Sequence, residues 1–365
     1  MFPSIRSVAL AGFAASLLPQ ALAQTSTSCN PLNATCPADA ALGTNATFLF
    51  NETSANSKLW NTTAGTIDYN STGGQFTISE KGVSPTLISN FFIFFGRVDV
   101  VLKAASGQGI VSSIVLESDD LDEVDFEWIG GNNTSWQSNY FGKGNTTSYD
   151  RAVWHDVDDP QGTFHNYSVD WTKEKIDWYV DNELIRTLNY EDANGGDNFP
   201  QTPMNIRLGI WAGGDPDSNS YWTVQWSGGE VDYDDCPFTM SVREVFVQDY
   251  SSGKEYKWGD HTGSYDSIEI VNGTSEAYEE LYVPSGTKAK WDSLPTWAKA
   301  AIGVGSVAVV AVAAGAFILF FLKKRREGRA AYQLQEQNMA KEQEELLEYK
   351  SNYQQIKGNS TEIHR

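Results

Sequence analysis

The heptad Asp122 to Trp128 reads Asp-Glu-Val-Asp-Phe-Glu-Trp, which sets three carboxylates at alternate positions from Glu123 to Glu127 with apolar residues between them. On a β-strand Glu123, Asp125 and Glu127 share one face, and Val124, Phe126 and Trp128 share the other. Like charges at roughly 7 Å intervals repel, so a strand gains nothing by holding them there unless they do chemistry. Retaining glycoside cleavage asks for two carboxyl groups about 5–5.5 Å apart, one a nucleophile and one a proton donor that later acts as a base. The Cα atoms of residues four apart on a strand are roughly 13 Å apart. Two glutamates leaning inward over the shorter Asp125 close most of that gap, with Glu123 and Glu127 as the reacting pair and Asp125 as an auxiliary group. The plain alternative is a solvent-facing acidic strand in an acidic protein. The surroundings decide between them.

Positioning such a row takes a sheet. From about residue 45 to 250 the chain runs in short stretches rich in Thr, Val, Ile, Tyr, Phe and Trp, broken by Gly, Asn, Asp and Pro, as in Gly96–Leu102, Ile110–Leu116, Lys175–Val180 and Phe238–Val247. No convincing amphipathic helix interrupts them, which predicts one all-β sandwich. Asp181-Asn182 after Tyr179-Val180 reads as a hairpin turn. The aromatic load is high: Trp136, Tyr140, Phe141, Trp154, Trp171, Trp178, Trp211, Tyr221, Trp222 and Trp226 exceed what core packing needs, and sugar rings stack on such side chains. Trp171 and Trp178 sit in alternating strand patterns and read as core. Trp211-Ala212-Gly213-Gly214-Asp215-Pro216 has the signature of an exposed loop and is a candidate sugar subsite. Arg207, four residues earlier in a strand-like run, points to the same side as Trp211 by period two and could hydrogen-bond hydroxyls or an acetamido carbonyl.

The ends of the chain set the context. Residues 1–23 read as a secretory signal, with Arg6, an apolar run from Val8 to Leu18 and Ala21-Leu22-Ala23 at the cleavage site. Residues 300–322 are almost wholly apolar and long enough to cross a bilayer. Lys323-Lys324-Arg325-Arg326 follows and places 323–365 in the cytoplasm, with the preceding domain outside. A removable lipid-anchor signal would end the chain, whereas 43 residues follow this run. Residues 271–299 are expected to form a juxtamembrane stalk. Ala330 to Tyr349 reads as a solvated helix or disorder. Ten glycosylation sequons, at Asn33, Asn45, Asn51, Asn61, Asn70, Asn132, Asn133, Asn145, Asn166 and Asn272, all fall before the span, while Asn359 falls after it.

The net charge of −21 is concentrated before the tail, which carries nine Lys and Arg against seven Asp and Glu. An acidic exterior argues against nucleic acid and suits a neutral polymer. Cys29 and Cys36 are close enough for a small loop bridge in an oxidising compartment. Cys236 is then odd, and reads as a free buried thiol rather than an intermolecular link. His155, His165, His261 and His364 lack metal spacing, so neither a metal nor another cofactor is expected. The oligomeric state is not encoded in any pattern here.

Several motifs carry a family resemblance: Gly96-Arg97-Val98 leading to Lys103-Ala104-Ala105, Ile110-Val111-Ser112-Ser113, the acidic heptad with Gly130 behind it, Asn139-Tyr140-Phe141-Gly142-Lys143-Gly144, Phe164-His165-Asn166-Tyr167-Ser168-Val169-Asp170-Trp171, and Trp211-Ala212-Gly213-Gly214-Asp215. In order and spacing the chain resembles the fungal Crh-type cell-wall transglycosylases of glycoside hydrolase family 16, over about residues 28–270 and including the Cys29/Cys36 pair. The resemblance implies a concanavalin-like β-jelly roll of two antiparallel sheets, with a catalytic domain at 24–270. It implies Glu123 as nucleophile, Glu127 as acid/base and substrate contact, and Asp125 between them. Arg207, Trp211 and, allowing one extra residue, Thr223 match chitin-contacting positions; Trp222 fills the inserted spot, and Tyr140 joins them as a candidate contact.

The implied activity breaks a chitin chain and passes it to a β-glucan or chitin hydroxyl. Family members often carry a lipid anchor, from which the retained span departs. Two other readings stay open: a plain chitin or β-glucan hydrolase using the same triad, and a membrane-tethered, non-catalytic lectin. The carboxylate row weighs against the lectin, because binding alone does not require it.

Overall fold

The computed structural model describes residues 27–147, 150–283 and 286–359, so the expected signal segment 1–23 lies outside the described residues. The chain divides into two compact units, the first ending at Val283. That first unit is the predicted sandwich. Its front sheet runs Val153–Asp156, Ser135–Phe141, Glu123–Ile129, Ile110–Ser118, Met204–Ala212, Thr86–Ser89, Trp60–Thr63 in spatial order, all antiparallel. The back sheet runs Glu183–Asn189, Lys175–Val180, His165–Trp171, Gly96–Lys103, Phe238–Asp249, Gly73–Ile78, Ile67–Asn70, with Asn45–Leu49 also paired to Phe238–Asp249. A third, three-stranded sheet of Asp39–Ala40, Glu255–Trp258 and Ile268–Val271 was not foreseen.

Alternation explains how the sheets face each other. Gly96–Lys103 alternates buried and half-buried residues along its length, with Val98, Val100 and Leu102 inward. On the strand carrying the carboxylates the inward set is Val124, Phe126 and Trp128, each at most 1% exposed. Phe126 stacks on Trp136 with ring centres 5.1 Å apart, and Trp128 meets Tyr167 of the back sheet edge-on at 4.4 Å. Burying each such side chain stabilises by about 1.5–3 kcal/mol, which offsets the cost of a like-charge row on the other face. Trp171 and Trp178 are core, as expected, and Trp136 joins them. At the Asp181-Asn182 hairpin both residues have positive φ, 50° and 70°, the conformation of a type I′ turn that matches the twist of paired strands.

The domain extends past the expected boundary at 270. Ser275 caps the helix Glu276–Tyr282, accepting from the Tyr278 N–H at 3.0 Å and donating to the Leu42 carbonyl at 2.6 Å. Ala277 is buried, Lys58 meets Glu280 at 2.6 Å, and the Tyr282 hydroxyl donates to the Asn45 carbonyl. Residues assigned to a stalk therefore pack on the sandwich as far as 282, because this helix has an apolar residue and a cap with partners waiting. Cys29 and Cys36 are bridged, with Cα atoms 5.8 Å apart. Cys236 is free but half-buried rather than buried.

In the second unit, a helix Gly286–Ser293 precedes one of 64 residues, Thr296–Asn359. The latter contains the single stretch among the described residues long and apolar enough to cross a membrane. The segment Ala330 to Tyr349 is helical and exposed, the solvated branch of the expectation.

Candidate active site

The site begins with a turn. Ser118 N–H donates to the Asp122 carbonyl at 2.9 Å and Leu121, at φ 68°, closes the reversal, so Ile110–Ser118 returns as Glu123–Ile129 with Glu117 opposite Glu123. Asp122, fully buried, fixes this corner by accepting from the N–H groups of Lys143 (2.8 Å), Gln201 (2.7 Å) and Thr202 (3.1 Å). Sequence reading gave Asp122 no role; a carboxylate just before the strand, followed by no partner in sequence, carries no local signal for contacts 21 to 80 residues away.

From there Glu123, Asp125 and Glu127 line one cleft of about 900 Å³ together with Gln137, Asn139 and Phe141 of the neighbouring strand, Trp154, and Trp211, Trp222, Thr223 and Trp226 on the other side. The register pairs Gln137 with Glu127, Asn139 with Asp125 and Phe141 with Glu123, so the same period-two face continues across two strands. Tyr140 is a correction: it pairs with Val124, is 6% exposed and lies in the core, flanked by the Arg186 and Arg151 guanidinium groups. Its neighbours Asn139 and Phe141 take the place it was given. Knowing the strand phase would have found them, since Trp136 and Tyr140 are inward by the same alternation.

The far wall is aromatic. Trp211 stacks on Trp226 with ring centres 6.0 Å apart, and Trp222, 77% exposed, meets Tyr221 edge-on at 5.2 Å. The short helix Tyr221–Trp226, which carries Tyr221, Trp222 and Trp226, is capped by Ser220, whose Oγ accepts from the Thr223 N–H at 3.2 Å. The Gly213-Gly214-Asp215 loop before it has no room for a side chain at Gly214, where a Cβ would run into the Gly229 carbonyl. Buried Asp215 pairs with Lys81 at 3.0 Å and accepts from the Ser218 hydroxyl at 3.0 Å, pinning the loop. Arg207 shares the face of Trp211, as its spacing predicts, but it is buried, ion-paired with Glu117, and does not line the cleft.

The three carboxyls are not equivalent. Burial raises all of them. Asp125 is pushed well up, first by burial and then by the charge of Glu123, so it keeps its proton and donates a hydrogen bond to Glu123. That bond, with the Arg207 and Arg151 charges, pulls Glu123 back toward ionisation. Glu127 rises to about 8 through burial and the negative charge of Glu123. The cleft thus sets two glutamates with differently placed proton affinities on one strand before a wall of indoles, the equipment for acting on a glycosidic bond.

Residues 53–233 match the family model described as glycosyl hydrolases family 16. The chain is 53% identical to Crh-like protein 2 of Botryotinia fuckeliana, over 93% of this chain and 76% of that one. It is 46% identical to Crh-like protein 3 of Aspergillus fumigatus, over 91% and 92% of the two chains. A solved structure, Crh5 transglycosylase in complex with NAG, superposes with a TM-score of 0.64 at 48% identity, covering 66% of this chain and 99% of the other. The sandwich and its cleft are those of a glycosyl hydrolase or transglycosylase enzyme. Within that class, the chain belongs to the fungal Crh-type transglycosylases of glycosyl hydrolase family 16, with a role in cell-wall glycan transfer.

Proposed function

We propose that this enzyme is a retaining transglycosylase that cleaves chitin and passes the glycosyl group to a β-glucan or chitin hydroxyl, cross-linking and remodelling the cell wall. The observation that carries the reading is geometric: Glu123, Asp125 and Glu127 stand at alternate positions on one face of one strand and line a single cleft with the indoles of Trp211, Trp222 and Trp226, and burial together with the charge of Glu123 raises Glu127 to about 8. Glu123 attacks the anomeric carbon as Glu127 protonates the leaving oxygen, giving a glycosyl ester on Glu123 and a shortened chain. Once Glu123 is esterified its charge is gone. The field that held the Glu127 proton disappears, and Glu127 becomes the base that deprotonates the incoming hydroxyl. The indole wall of Trp211, Trp222 and Trp226 supports sugar-ring stacking. The NAG held by the solved Crh5 relative supports a chitin donor, of which it is the repeating unit.

The test mixes the solubilised enzyme with a chitin oligosaccharide and a fluorescent β-glucan oligosaccharide. Labelled product longer than the acceptor, of retained anomeric configuration by NMR and lost in Glu123→Gln and Glu127→Gln, is the expected result. Donor shortening without labelled transfer would make the enzyme a hydrolase; tight binding without turnover would leave a lectin.

We further propose a single-pass protein at the plasma membrane, with a signal at 1–23, the catalytic domain outside, a span at 300–322 and the tail 323–365 in the cytoplasm. The apolar stretch of the long helix and the basic run Lys323 to Arg326 support it. Mass spectrometry should find N-glycans at sequons before residue 273 and none at Asn359; a glycan at Asn359 would invert the topology.

A further inference from the structure

Glu123 stands where its strand stops being paired on either side. The ladder with Ile110–Ser118 ends at the pair Glu117–Glu123, and the ladder with Ser135–Phe141 ends at Phe141–Glu123. Asp125 lies inside both ladders, and Glu127 lies inside the first. A strand end opens more readily than its middle, so backbone pairing alone does not hold the nucleophile. The corner before it, Ser118 to Asp122, has to.

One hydroxyl gathers that corner. Thr202 Oγ1 lies 2.8 Å from each of Ser118 Oγ, Asp120 Oδ1 and Asp122 Oδ2, and all four residues are fully buried. Three contacts between oxygens need three hydrogens, and the two hydroxyls supply two. The third belongs to a carboxyl. Asp122 accepts from the backbone N–H groups of Lys143, Gln201 and Thr202, which suits an anion. Asp120 accepts from the Asp122 N–H at 3.1 Å and keeps the proton, as burial and the neighbouring charge of Asp122 both favour. The hydroxyl of Thr202 thus separates two carboxyls that would otherwise oppose each other without a donor between them.

Thr202 can anchor the corner because its own segment is anchored. Phe199-Pro200-Gln201-Thr202-Pro203 carries two prolines, which fix φ, and Trp171 in the core of the back sheet donates its indole N–H to the Pro200 carbonyl at 2.8 Å. Gln201 Nε2 donates to the Gly196 carbonyl at 2.9 Å, and its Oε1 accepts from the Tyr265 N–H at 3.3 Å. The front-sheet corner is therefore tied to the opposite sheet through a single side chain. We propose that Thr202 is a positioning residue, whose hydroxyl fixes the corner Ser118 to Asp122 and through it the carboxyl of Glu123 for attack. This rests on the reading of Glu123 as the nucleophile.

The experiment measures kcat and donor KM separately, for cleavage of a chitin oligosaccharide by the full-length solubilised enzyme. Thr202→Val keeps the shape of the side chain and loses its hydroxyl. Its kcat should fall about 10- to 100-fold, the scale of a displaced reacting group, with donor KM within about twofold of the parent. Thr202→Ser keeps the hydroxyl and should restore most of the turnover. Ser118→Ala removes one of the three contacts and leaves every backbone bond to Asp122 in place, so it reports on the same hub if Thr202→Val does not fold. Its kcat should fall about 3- to 10-fold, the worth of one neutral hydrogen bond, at unchanged donor KM.

Unchanged kcat in Thr202→Val, with or without a raised donor KM, would overturn the proposal. So would a Thr202→Ser enzyme as slow as Thr202→Val, which would give the role to the methyl group, or full turnover in Ser118→Ala. Retained activity in Glu123→Gln is a separate failure, removing the nucleophile assignment beneath it.

Discussion

Asp125 and Glu127 stand two positions apart on one face, and in the proposed mechanism only the second exchanges its proton with substrate while the first hydrogen-bonds with Glu123. Two predictions belong at this scale. Glu127 is protonated below about 8 and needs that proton as an acid, so kcat/KM should fall as pH rises through about 8 and also fall on the acid side as Glu123 takes up a proton. A flat profile from pH 6 to 10 would contradict it. Asp125→Asn keeps an N–H donor toward Glu123, whereas Asp125→Leu does not. Turnover of the Leu variant should fall roughly 10- to 100-fold further, the worth of a hydrogen bond to a charged group. That Glu123, Asp125 and Glu127 share one face was legible because strand periodicity acts within seven residues. Tyr140 was misplaced and the Glu117–Arg207 ion pair was missed, because each depends on which strand pairs with which and in what register.

Elements were legible where their signal is local and hidden where it depends on packing. Asp181-Asn182 announces a turn through residues that tolerate positive φ, and the structure has both in that region. The helix Glu276–Tyr282 announces nothing: seven residues with one buried alanine look like linker until the Ser275 hydroxyl finds the Leu42 carbonyl. Ser275→Ala removes both the cap and that bond, and should lower unfolding free energy by about 1–2 kcal/mol in a urea titration of the soluble domain. No change would mean that this helix contributes nothing to the sandwich. The third sheet was missed for a related reason, since its first strand has only two residues and no periodicity to read.

Across the whole molecule, acidity and burial combine into a pH dependence of stability. Burial pushes the Asp39 and Asp120 carboxyls to about 8 and Asp249 to about 7, whereas in an unfolded chain such groups titrate near 3.9. The native state then holds protons that the unfolded state releases, so this contribution to stability is complete below about 4 and is lost as pH rises through 7 to 8. The melting temperature should fall between pH 5.5 and 8.5, and repulsion within an acidic chain of net charge −21 adds in the same direction. A melting temperature that rises over that interval would refute it.

The sorting of indoles between core and cleft has an optical consequence. Trp60, Trp128, Trp136, Trp171 and Trp178 are each at most 2% exposed, while Trp222 and Trp154 at the cleft are 77% and 45% exposed. A sugar that covers the rim removes water from the second group and leaves the first untouched. The emission spectrum should therefore shift to the blue on its red side alone, giving an unlabelled enzyme its own gauge of cleft occupancy; Trp222→Phe should mute that gauge while the blue emission of the sealed indoles stays where it was.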